Sequence, residues 1–117
     1  MRNTVGLATL IAIGLSNVAA AETWKADLVL IPERSLQHCS QGDVSRATWT
    51  FKLEGDAFSG VAAAGRNFTT KANPDGSIRV TYPTNAGESL MTGNVKTKQL
   101  EIWNGKFSCR YKLVPLP

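Results

Sequence analysis

Gln99-Leu100-Glu101-Ile102-Trp103-Asn104-Gly105-Lys106-Phe107-Ser108-Cys109-Arg110-Tyr111-Lys112-Leu113 carries the clearest structural signal in this chain. Asn-Gly between two runs of alternating apolar residues is the strongest short-range mark of a hairpin with a type I′ turn. A two-residue loop at Asn104-Gly105 pairs Trp103 with Lys106, Ile102 with Phe107, Glu101 with Ser108, Leu100 with Cys109 and Gln99 with Arg110. Leu100, Ile102, Phe107 and Cys109 then share one face, extended by Tyr111 and Leu113, and polar groups share the other. A slip of one residue would turn the apolar set to water.

The same alternation runs upstream. Trp24, Ala26, Leu28 and Leu30 alternate with Lys25, Asp27 and Val29, and Pro32 ends that strand. Residues 32–43 form the longest irregular connection and hold Cys39. Trp49, Phe51 and Leu53 fall on one face of the next strand. Gly55-Asp56 reads as a type II′ turn, which places Leu53 opposite Phe58, Phe51 opposite Gly60 and Trp49 opposite Ala62, large against small. Asn73-Pro74-Asp75-Gly76 is a further turn, with Pro74 presetting φ and Gly76 free to take the left-handed position. Ile78, Val80 and Tyr82 alternate after it, 83–88 reads as a loop, and Lys96-Thr97-Lys98 as a short connection.

The pattern therefore predicts about eight strands, near 24–31, 45–53, 57–63, 67–71, 77–82, 89–95, 99–103 and 106–113. Short connections make sequence neighbours antiparallel neighbours in space. Closing such a meander buries its apolar face and removes its edges. The expected fold is all-β, a small antiparallel up-and-down β-barrel, with a two-sheet β-sandwich as the alternative.

The N-terminus reads as an export signal. Arg2 is followed by an uncharged apolar run from Val5 to Leu15, and Val18-Ala19-Ala20-Ala21 offers the small residues a signal peptidase reads. The run is short for a membrane span. The expected organisation is a cleaved signal over 1–21 and one domain over 22–117, starting at Ala21 or Glu22, with no transmembrane anchor after cleavage and a secreted or periplasmic location. Cys39 and Cys109 are the two cysteines. In an oxidising compartment they read as a disulfide. It would tie the first and last parts of the meander together, as closure requires.

Without Arg2 the chain has twelve basic and nine acidic residues, a net charge of +3. This favours anionic surfaces mildly and, with no dense basic stripe, argues against nucleic acid. The sequence contains no G-x-S-x-G, H-E-x-x-H, phosphate loop or dinucleotide fingerprint. His38 is the one histidine and has no companion histidine or carboxylate cluster in sequence. No enzyme activity, catalytic residue, metal or cofactor is expected. Trp103 falls on the outer face beside its turn, opposite Lys106, with cation–π character; Lys96, Lys98, Lys106, Arg110 and Lys112 give the C-terminal hairpin a positive side. Glu101 is expected to pair with Arg110 on the diagonal. The candidate binding surface is Trp103, Lys106, Arg110 and His38, with the loops 32–43 and 83–88 beside it.

The expected function is a small exported, non-enzymatic binding module, monomeric, for an apolar or anionic small ligand or an envelope surface. The alternative is an envelope or secreted inhibitor or interaction protein acting on a hydrolase, by analogy of architecture. An enzyme ranks last.

Overall fold

The computed structural model describes residues 21–39, 48–62, 65–84, 87–106 and 108–117. The signal segment expected over 1–21 lies outside these residues except for Ala21, as do 40–43 of the first loop, 45–47 of the second expected strand, Ala63 and Phe107. The described strands are β1 (Ala21–Leu30), β2 (Thr48–Glu54), β3 (Ala57–Ala62), β4 (Asn67–Lys71), β5 (Ser77–Thr84), β6 (Gly87–Asn94), β7 (Gln99–Asn104) and β8 (Cys109–Pro115). A 3-10 turn over Pro32–Arg34 follows β1. All strand pairs are antiparallel, in one 8-stranded sheet ordered β4-β3-β2-β1-β8-β7-β6-β5.

This is the expected barrel and not the sandwich: one nearly closed, barrel-like sheet. The first and last strands zip together, from Ala26 opposite Pro115 to Leu30 opposite Tyr111. The opening falls between the consecutive strands β4 and β5, which no ladder joins among the described residues. Pro83, which has no N–H to donate, lies on the β5 edge, where a proline is tolerated. Rings bridge this seam: Phe68 of β4 and Trp49 of β2 lie 6.0 and 5.2 Å from Tyr82 of β5.

The inward set follows the alternation. Trp24, Ala26 and Leu28 of β1, Trp49 and Phe51 of β2, Phe58 of β3, Ile78 and Tyr82 of β5, and Leu100, Ile102, Tyr111 and Leu113 of the last two strands are buried. Trp24, Phe51, Phe58 and Phe68 form a continuous ring cluster, with centroids 5.3 to 5.6 Å apart along the contacts Trp24–Phe51, Phe51–Phe58 and Phe58–Phe68. Offset and tilted arrangements like these add attraction beyond the area buried.

The β2–β3 hairpin has the expected register, with Leu53 opposite Phe58, Phe51 opposite Gly60 and Trp49 opposite Ala62. Gly55 sits at φ 62 at the first turn position. Gly60 is required for its size. A Cβ there would stand 2.8 Å from the Phe68 ring and 2.9 Å from the Phe51 ring. Gly60→Ala is expected to cost about 1–3 kcal/mol of stability by overpacking, read from the denaturation midpoint.

Three expectations need correction. In the last hairpin Leu100 faces Leu113 and not Cys109, Ile102 faces Tyr111, Trp103 faces Arg110, and Asn104 faces Cys109. The partner of each residue moves by four positions (Leu100: from 109 to 113), so Asn104-Gly105 is not a two-residue loop. Ser108, at φ 55, helps to close the longer turn. The reason is the other edge of β8. Its ladder with β1 reaches Pro115, and Leu36 N–H and Ile31 N–H donate to the Ser108 and Arg110 carbonyls at 3.2 and 2.8 Å. The expected last strand therefore begins at Cys109, not at 106. The loop at 83–88 is also shorter, because Pro83 faces Glu88 and Thr84 faces Gly87.

Tyr82 faces Ser89, itself buried. Burial pushes the Tyr82 hydroxyl well above its ordinary value of 10.0, with the Ser89 hydrogen bond and Arg66 opposing the shift. The unfolded chain ionises this group near 10, and the barrel keeps it neutral. Its contribution is therefore fully present below pH 10 and is lost as pH rises towards the folded value. Stability measured across alkaline pH is expected to fall more steeply in the natural protein than in Tyr82→Phe.

Candidate functional site

Antiparallel topology gathers one set of connections at a single rim. The segment after β1, the β3–β4 and β5–β6 turns and the β7–β8 turn all open at the same end. The candidate residues Trp103, Lys106, Arg110 and His38 all belong to this end or to the strand ends that lead to it.

Cys39 and Cys109 are joined in a disulfide, Cα to Cα 5.7 Å. It lies beside the β1–β8 seam and is compatible with an oxidising compartment. The loop that carries Cys39 is docked independently of the sulfurs. Ser35 Oγ accepts a hydrogen bond from the Arg110 N–H at 2.8 Å and donates to the Ile31 carbonyl at 2.8 Å. Arg34 reaches across the outer face to clasp Glu101 with two nitrogens, each 3.1 Å from a carboxylate oxygen. Arg110 stands 3.8 Å from the same carboxylate, the diagonal pairing expected from sequence.

Trp103 is on the outer face, as expected, and is 41% exposed. Its cross-strand partner is Arg110, whose guanidinium lies 5.6 Å from the ring centroid. Lys106 is exposed in the turn and does not face Trp103 in the ladder. The longer turn is the reason for this exchange. On its other side Trp103 faces Leu90 of β6, which in turn faces Thr81. The adjoining outward row is Arg79, Thr92, Glu101 and Lys112. An apolar pair, Leu90 and Trp103, is thus bordered by Arg79, Arg110 and Lys112, with Glu101 already engaged by Arg34 and Arg110.

No family model, curated protein or solved structure matches this chain. Its function is therefore read from the site alone.

His38 is exposed, and its imidazole and the two sulfurs lie within 4.8 Å of one another. With the sulfurs bonded to each other, neither is a thiolate ligand. The structure brings Trp103 and Arg110 into contact, and joins His38 to them through the docked loop. Arg34, Ser35, Leu90 and Arg79 complete the site; the sequence places Arg34 and Ser35 in the 32–43 loop beside it without singling them out, and does not mark Leu90 or Arg79. Arg34 and Ser35 lie where no periodicity operates. Leu90 was missed because β6 points Ser89 and Met91 inward and its leucine outward.

Proposed function

We propose that this protein is a small exported binding module, acting in a secreted or periplasmic setting, that docks its outer β5–β8 face on an anionic amphipathic surface of the cell envelope. The observation that carries this reading is Trp103: a large ring, 41% exposed, in a row with Leu90 and with the Arg110 guanidinium 5.6 Å from its centroid. Aromatic and arginine side chains are the commonest anchors of binding surfaces. Here Arg79, Arg110 and Lys112 add attraction for negative charge around the apolar centre.

Tryptophan fluorescence tests this directly. Trp24 and Trp49 are 8% and 2% exposed, so Trp103 is the ring that senses the surroundings. Phosphatidylglycerol vesicles are expected to shift its emission to the blue, and phosphatidylcholine vesicles to leave it unchanged. Trp103→Ala is expected to weaken binding by about tenfold or more, and added salt to weaken it further. A blue shift that survives in Trp103→Phe would come from the buried rings. It would indicate a ligand inside the barrel, against this reading.

The exposed side chain of Leu36, on the docked loop at the rim, supports a second reading: an inhibitor that presents its loops to the cleft of a hydrolase. Inhibition across a hydrolase panel, lost in Leu36→Asp, would favour it.

A further inference from the structure

We propose that reduction of the Cys39–Cys109 bridge converts the rim into a binding site for one Cu(I) ion, held by the two thiolates and the His38 imidazole. The three donor atoms already lie within 4.8 Å of one another. Two sulfurs bound to one ion at about 2.3 Å each, the zinc–sulfur length, stand at most about 4.6 Å apart, so reduction must let the bonded sulfurs separate while the imidazole stays within reach. Reduction does not release the loop. The bonds from Ile31 N–H to the Arg110 carbonyl, from Leu36 N–H to the Ser108 carbonyl and from the Arg110 N–H to Ser35 Oγ do not involve sulfur. Cys109 is buried at the start of β8, and His38 is exposed, so the ion has a fixed donor on one side and an entrance on the other.

The donor set selects the metal. Thiolates favour soft ions, and imidazole accepts copper. Among the described residues no further histidine, cysteine or carboxylate joins the group. Structural zinc sites are almost always four-coordinate, whereas three donors suit a soft monovalent ion. The chemistry balances with a dithiol as reductant. The dithiol gives two electrons and two protons to the S–S bond and becomes a disulfide itself, leaving two thiols. Cu(I) then displaces both thiol protons to solvent, forming two Cu–S bonds and one Cu–N bond. Affinity therefore falls as pH falls.

The test uses the oxidised protein and the same protein reduced anaerobically with a water-soluble phosphine. Phosphorus takes its oxygen from water, and the two water protons end on the sulfurs. Cu(I) is titrated against a bicinchoninate chromophore. The reduced protein is expected to hold one equivalent and the oxidised protein none. His38→Ala is expected to weaken the site by at least about tenfold, the loss that even an outer partner of a metal ligand causes, with an unchanged far-ultraviolet spectrum. X-ray absorption should show two sulfurs and one nitrogen. Equal retention by the oxidised protein, undiminished binding in His38→Ala, or loss of the β spectrum on reduction alone would overturn the proposal.

Discussion

Replacing Cys39 and Cys109 together by serine is expected to lower stability by about 4 kcal/mol without changing the fold. The bridge spans a sequence separation of 70. Freeing a loop of that length returns roughly this much conformational entropy to the unfolded chain, on the chain-entropy account. Domains of this kind have only about 5–15 kcal/mol in total, so the loss is a large share. The fold should persist because the β1–β8 ladder from Ala26 to Leu30 and the Ser35 bonds remain. The denaturation midpoint is expected to fall well below that of the natural protein, while the far-ultraviolet spectrum in water stays β-rich. A change under about 1 kcal/mol would mean that the two ends stay close in the unfolded chain, contrary to that account.

Phe51→Ala is expected to cost about 3–5 kcal/mol. Phe51 is fully buried, and its ring contacts Trp24, Trp49 and Phe58 at 5.5, 5.8 and 5.3 Å. Packed neighbours cannot collapse into the space it leaves, because they are themselves rings fixed on β1, β2 and β3. Phe51 also faces Gly60, whose missing Cβ makes room for it. In the double variant with Gly60→Ala the added methyl points into the vacated space. The combined cost is therefore expected to be smaller than the sum of the two separate costs, and equilibrium denaturation of all three variants measures the coupling. Simple additivity would show that the contact between positions 51 and 60 is not the reason for glycine.

Much of this architecture is legible in the residues, and the misses have a common cause. The β2–β3 hairpin is legible to the individual pair because Gly55 fixes the turn and the large-against-small pairs Trp49 with Ala62 and Phe51 with Gly60 support it. The last hairpin shows its two faces in the sequence but not its cross-strand partners. A displacement by an even number of residues keeps every side chain on its own face, so the alternation of Leu100, Ile102, Tyr111 and Leu113 does not distinguish the two registers. What distinguishes them is β1, through Leu28 opposite Leu113 and Leu30 opposite Tyr111, contacts remote in sequence.

The same distance effect hides the site. Trp103 was visible as an outward ring, but its partner Arg110 follows from the register, and its neighbour Leu90 comes from a different hairpin. His38 has no ligand partner in sequence except Cys39; the second sulfur arrives through the disulfide. The Ser35 hydroxyl that holds the loop meets Arg110 only in the folded chain.

The proposed function rests on binding at the outer β5–β8 face around Trp103. Backbone amide shifts followed residue by residue during titration with anionic phospholipid bicelles test it most directly. Arg79, Leu90, Trp103, Arg110 and Lys112 are expected to move first and furthest. Shifts concentrated instead on the opposite outer face, at Lys52, Ser59 and Thr69, or on the inward residues Trp24, Phe51 and Met91, would contradict it.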